Sequence, residues 1–87
     1  LKEGVKKGSR EVGILRLLQE MRVFEENRLF TLGRQVVPYL TREDMLQPND
    51  FPELDSNPEF RYQEGVVAGL ASAIHAIKAA DPLSAKN

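Results

Sequence analysis

The residues with the clearest chemical potential in this 87-residue chain sit within its first long apolar pattern: Glu25, with Arg22 three positions before it and Arg28 three positions after. On a helix, residues three apart are neighbours, so either guanidinium can reach the carboxylate. In projection Glu25 falls among Leu18, Met21, Leu29 and Leu32, and a carboxylate drawn out of water needs a partner. One role for the trio is a structural ion pair that sets the register of a helical bundle. The other is an inter-helix site in which Arg22, Glu25 and Arg28 line a pocket for a small molecule or an anion, the enzyme-like reading of this chain. In an antiparallel pairing of two helices Glu25 is expected level with Ser72, Ala73 and Ala76, whose short side chains would leave space beside it. A third placement ends the stripe near Phe24 and leaves Glu25 in water.

Little else has the makings of a reactive centre. His75 is the single histidine and there is no cysteine, which removes a multi-histidine or thiolate metal site and any redox pair from one chain. His75 and Lys78, in HAIKAA, resemble the H-x-x-K-G stretch of histidine-containing phosphotransfer domains. Ala79 stands where that family has glycine, and the likeness stops at two residues. It implies an exposed His75, and it does not amount to family membership. No catalytic, cofactor-binding or metal-ligating residue is assigned.

The charges are organised without forming a nucleic-acid surface. Arginines at 10, 16, 22, 28 and 34 recur every six residues, about 600° of helical rotation, so they point in three directions and build no continuous basic face. The net charge is −1. Residues 1–10 carry +3, while residues 43–64 hold seven acids against Arg61 for a local −6. The DSNPE stretch lacks the spaced ligands and turn glycine of an EF-hand loop, so calcium is not expected there.

The elements that position these groups are helical. Ser9 and Glu11 supply a capping hydroxyl and a first-turn acid. Apolar residues then recur at Ile14, Leu15, Leu18, Met21, Leu29, Leu32, Val36, Tyr39 and Leu40, a helical stripe with no period-two alternation. Pro38 predicts a kink or an end between Gly33 and Leu40. Thr41 followed by Asp44 resembles a capping box and predicts one short turn over residues 42–47. QPNDFPELDSNP, with three prolines, reads as a loop anchored by Phe51 and Leu54. Asn57-Pro58-Glu59 starts a second long helix, whose stripe is Val66, Val67, Leu70, Ala73, Ile74 and Ile77, and Asp81-Pro82 closes it. The expected organisation is a flexible basic arm over 1–8, a single helical-hairpin domain over 9–82 and a flexible tail over 83–87.

On the second helix Gly65, Gly69, Ser72, Ala76 and Ala79 gather on a smooth face that allows close approach by another backbone. A chain this small buries only roughly 64% of its extended surface, and without disulfide or metal it needs very good packing or a partner. The expected fold is therefore all-α: two long antiparallel helices with a short connecting helix and a proline-rich loop, pairing into a dimeric bundle with Gly65, Gly69, Ser72 and Ala76 at the interface. At 41% hydrophobic and 29% charged, with no signal-peptide or membrane-spanning pattern, the chain is expected in the cytoplasm. Its expected function is that of a small oligomeric interaction protein, an adaptor, chaperone or regulatory subunit acting through helical surfaces and an acidic loop. The expected partners are a second copy and another protein, with no nucleic acid, membrane or cofactor.

Overall fold

Pro38 and Pro58 bracket the connection between two long helices, and Pro48 and Pro52 punctuate it. A computed structural model describes residues 2–80, with side chains from Gly13 onward. Helix α1 spans Lys2–Val36, α2 Pro52–Asp55 and α3 Pro58–Ala80, with two single 3₁₀ turns at Asp44–Leu46 and Pro48–Asp50. No strand occurs among the described residues. The backbone of α1 begins at Lys2, ahead of the expected start, so Ser9 lies within the helix. The expected stop at Asp81-Pro82 and the tail at 83–87 lie outside the described residues.

Each boundary has a local cause. The Val37 N–H still reaches the Gly33 carbonyl at 2.7 Å, but Pro38 has no N–H to continue the ladder. Arg34 instead turns forward and donates from Nε and Nη2 to the Pro38 carbonyl at 3.2 and 3.0 Å, satisfying an acceptor at the helix end. Thr41 and Asp44 form the reciprocal pair of a capping box: the Thr41 N–H donates to Asp44 Oδ2 at 3.0 Å, and the Asp44 N–H to Thr41 Oγ1 at 3.2 Å. Asn57 Oδ1 accepts from the Phe60 N–H at 2.9 Å, and Pro58 occupies the first position of α3. The segment read as pure loop is more ordered than its prolines suggested. Pro48 and Pro52 each sit at the first position of a short turn that needs no N–H there.

The core is concentrated where the chain turns. Leu29, Val37, Leu40, Leu54 and Phe60 are buried together, with Phe30, Val36, Met45, Phe51 and Val67 packed around them. Leu54 and Phe60 have no exposed surface, so Leu54 is an anchor of the loop as expected and Phe51 supports it at the edge. Gly33 makes this possible. A Cβ at that position would stand 2.6 Å from Leu40 Cδ2 and 3.3 Å from Phe60 Cε1, closer than either side chain can tolerate unmoved.

Away from this knot the packing thins. Ile74 is the one further apolar residue buried among those described, and the protein measures 54 by 21 by 20 Å. The expected apolar stripe of α1 divides. Leu15, Leu18, Leu32 and Val36 are half-buried and Leu29 is buried. Ile14, Met21 and Tyr39 are exposed. At about 100° per residue Ile14 and Met21 lie to one side of the face centred on Leu18, Leu29 and Val36, and Tyr39 follows the end of α1, where helical spacing no longer applies.

Candidate functional site

The Glu25 carboxylate is bound on two sides. Gln63 Nε2 donates to Glu25 Oε1 at 2.6 Å and to the Glu25 backbone carbonyl at 3.1 Å. Arg28 Nη1 approaches the same carboxylate oxygen at 3.8 Å from a solvent-facing position. The Glu25 side chain keeps 19% of its surface, whereas Gln63 is 4% exposed. The structure thus brings Glu25 and Arg28 together and directs Arg22 elsewhere: its Nε lies 3.1 Å from Glu26 Oε2, one helical turn on. The carboxylate meets Gln63, not the expected Ser72, Ala73 and Ala76. The 37–57 connection folds back close against α1 at Gly33, and the beginning of α3 comes to this level of α1.

Gln63 is the residue that sequence reasoning missed. It lies one helical turn before Val67 in the α3 stripe, and that spacing was the available signal. An amide held against a carboxylate and a main-chain oxygen joins two helices at a fixed level, because sliding either helix leaves a buried donor unpaired. Its chemistry is that of a structural contact.

The larger feature lies on the outer flank of α1. Ile14, Leu17, Met21 and Phe24 are 47, 56, 43 and 61% exposed, and their 3-4-3 spacing places them in one row along the helix. Beyond Phe24 the row continues into a groove of about 340 Å³ lined by Phe24, Asn27, Arg28, Thr31, Leu32 and Gln35, all from α1. Depressions between the side chains of one helix are where the side chains of another helix seat. On α3, Gly65, Gly69, Ser72 and Ala76 are all exposed, and a Cβ added at Gly65 or Gly69 would meet nothing within 4 Å.

The charged groups take simpler places. Arg61 is shared between Asp55 at 3.5 Å and Glu64 at 3.1 Å, tying α2 to α3 at the surface. Arg42 lies 4.2 Å from the Phe30 ring centre and Arg34 5.8 Å from it, so two cations cover an aromatic edge of the core. His75 and Lys78 are exposed on α3. Among the described residues no helix is long and apolar enough to cross a membrane. Compared with known proteins, the chain matches no protein family, no curated sequence and no solved structure.

Proposed function

We propose that this chain is a small oligomeric interaction protein, an adaptor, chaperone or regulatory subunit, in which two long antiparallel helices pair with those of a second copy as a dimeric bundle. The observation that carries this reading is the exposed row Ile14, Leu17, Met21 and Phe24. By their exposed fractions these four side chains present roughly 450 Å² of apolar surface, within the few hundred Å² of the largest patches on monomers, which are often functional. Two contacts support the antiparallel course. Glu25 meets Gln63, and Gly33, farther along α1, meets the earlier residue Phe60 of α3. Partners move backward on α3 as α1 advances.

The reading as a small-molecule or anion-binding enzyme has less support, because Arg22 is paired with Glu26 and the Glu25 carboxylate is already bound by Gln63. Sedimentation or light scattering at micromolar concentration tests the proposal. A dimer is expected, with Leu17→Glu and Phe24→Glu together giving a folded monomer. A wild-type chain that sediments as a cooperatively folding 9.8 kDa monomer would overturn it.

A further inference from the structure

The exposed row on α1 is centred on the helix that carries it. Residue 19 lies midway between Ile14 and Phe24, and it also lies midway between Lys2 and Val36, the ends of α1. Two copies of α1 laid antiparallel through that point overlap along their whole length. Ile14 of each then stands opposite Phe24 of the other, and Leu17 opposite Met21. A parallel arrangement also overlaps completely, so shape alone does not select an orientation.

Charge does. Residues 2–10 carry +3, and at the far end of α1 residues 28–64 carry −3, the −6 of residues 43–64 being offset by Arg28, Arg34 and Arg42. An antiparallel pair sets the basic start of each α1 beside the turn of the other copy, where the acidic stretch lies. A parallel pair stacks +3 on +3 and −3 on −3. Arg10 and Arg28, next in the 3-4 spacing at either end of the row, meet like charge in both arrangements and do not discriminate. The attraction between the basic and acidic segments is screened beyond about 8–10 Å at ordinary salt, which suffices to orient an encounter whose affinity comes from the apolar row.

α3 fits the same axis. If the two helices run antiparallel, the Glu25–Gln63 contact fixes their level: six residues back from Glu25 is residue 19, and six residues on from Gln63 is Gly69. The midpoint of the α1 row is therefore level with a glycine at which an added Cβ would meet nothing within 4 Å. The handedness of the two helices turns the half-buried flank of Val66, Ala73 and Ile77 to the same side as the α1 row. With both helices contributing, full coverage of these faces would bury on the order of 1,000 Å² over two copies, the minimum for a specific protein interface.

We infer that the occupant of this face is a second copy of the chain, packed antiparallel about a two-fold axis level with residue 19 of α1 and Gly69 of α3, with the basic start of each α1 beside the partner copy's acidic 43–64 stretch. The inference rests on the dimer reading above and adds its seam and orientation. The chain has no cysteine, so single-site thiol cross-linking has a clean background. Ile14→Cys and Phe24→Cys replace side chains exposed in the single chain and are expected to leave its fold intact. Each would be oxidised alone and as an equimolar mixture, with the reduced proteins examined by sedimentation. The expected result is a disulfide-linked dimer from the mixture and none from either variant alone. Lys6→Glu with Lys7→Glu is expected to weaken the dimer roughly tenfold at low ionic strength and little at high salt. Cross-linking of either variant with itself overturns the orientation, and a reduced dimer that fails to cross-link in the mixture overturns the seam, both leaving the dimer standing. A wild-type monomer under the same conditions overturns the dimer reading and this inference with it.

Discussion

Gln63 holds Glu25 twice, by its carboxylate at 2.6 Å and by its main-chain carbonyl at 3.1 Å, from a position where the amide is almost fully buried. A side chain that grips both the backbone and the carboxylate of one residue fixes the level of α3 on α1 more firmly than a side-chain pair can, since the main-chain oxygen cannot rotate away. Arg28 adds little, because its guanidinium is mostly in water.

The two residues are expected to differ in their tolerance of change. Glu25→Gln keeps an oxygen within reach of the Gln63 amide and should cost less than about 1 kcal/mol, whereas Glu25→Ala removes that acceptor and should cost about 1–2 kcal/mol. Gln63→Ala should cost more than either, since it removes both hydrogen bonds and leaves a space inside the packing. Urea unfolding of the three variants checks the order, and a Gln63→Ala protein as stable as wild type would show that the contact does not hold the helices.

The glycines of α1 and α3 separate in the same way. Gly33→Ala gains about 1 kcal/mol of helix propensity, but its Cβ enters the space of Leu40 and Phe60, and overpacking of this kind typically costs about 1–3 kcal/mol. A lower melting temperature is expected. Gly65→Ala gains the same propensity with nothing within 4 Å, so the isolated chain should become more stable by about 0.5–1 kcal/mol. Thermal unfolding at low protein concentration distinguishes the two, and equal shifts for both would mean that the turn after α1 yields to an extra methyl.

Gly69→Leu should act on assembly and spare the fold. Gly69 is exposed and an added Cβ there meets nothing within 4 Å, but a partner backbone packed at that level, as proposed, would have no room for leucine, and about 1–3 kcal/mol of overpacking corresponds to a dimer weakened roughly 5- to 150-fold. Sedimentation equilibrium on a variant whose circular dichroism is unchanged reads this directly. An unaltered dimer would place the α3 small-residue face in solvent.

Features settled by neighbours in sequence were legible, and those settled across the molecule were not. Thr41 with Asp44, and Asn57 ahead of Pro58, could be read as caps because donor and acceptor lie within three residues of one another. Leu54 was recognisable as an anchor because it stands apolar among acids and prolines. Gln63 was invisible as a partner of Glu25, since the two are 38 residues apart and only the closeness of the turn at Gly33 decides which residue of α3 arrives there. The α1 row was hidden differently. Ile14 and Met21 lie only about 60–80° of rotation from Leu29 and blend into its stripe, which masks the separate 3-4-3 alignment they make with Leu17 and Phe24.

The gathering of the core at the turn shapes how the molecule opens. Leu29, Val37, Leu40, Leu54 and Phe60 are drawn from a short stretch of chain, so their contacts close small loops and should form early in folding, with the remainder of α1 and α3 lengthening outward from that nucleus. The reverse path is the inexpensive one. Native-state hydrogen exchange should show amides between Leu29 and Val36 and between Phe60 and Val67 opening only with global unfolding, while those from Ile14 to Met21 exchange through partial openings of much lower energy. Uniform protection along α1 in a dilute monomer would contradict this gradient. Slowing of exchange at Ile14 to Phe24 as concentration rises would show assembly completing a structure that each chain alone leaves half zipped.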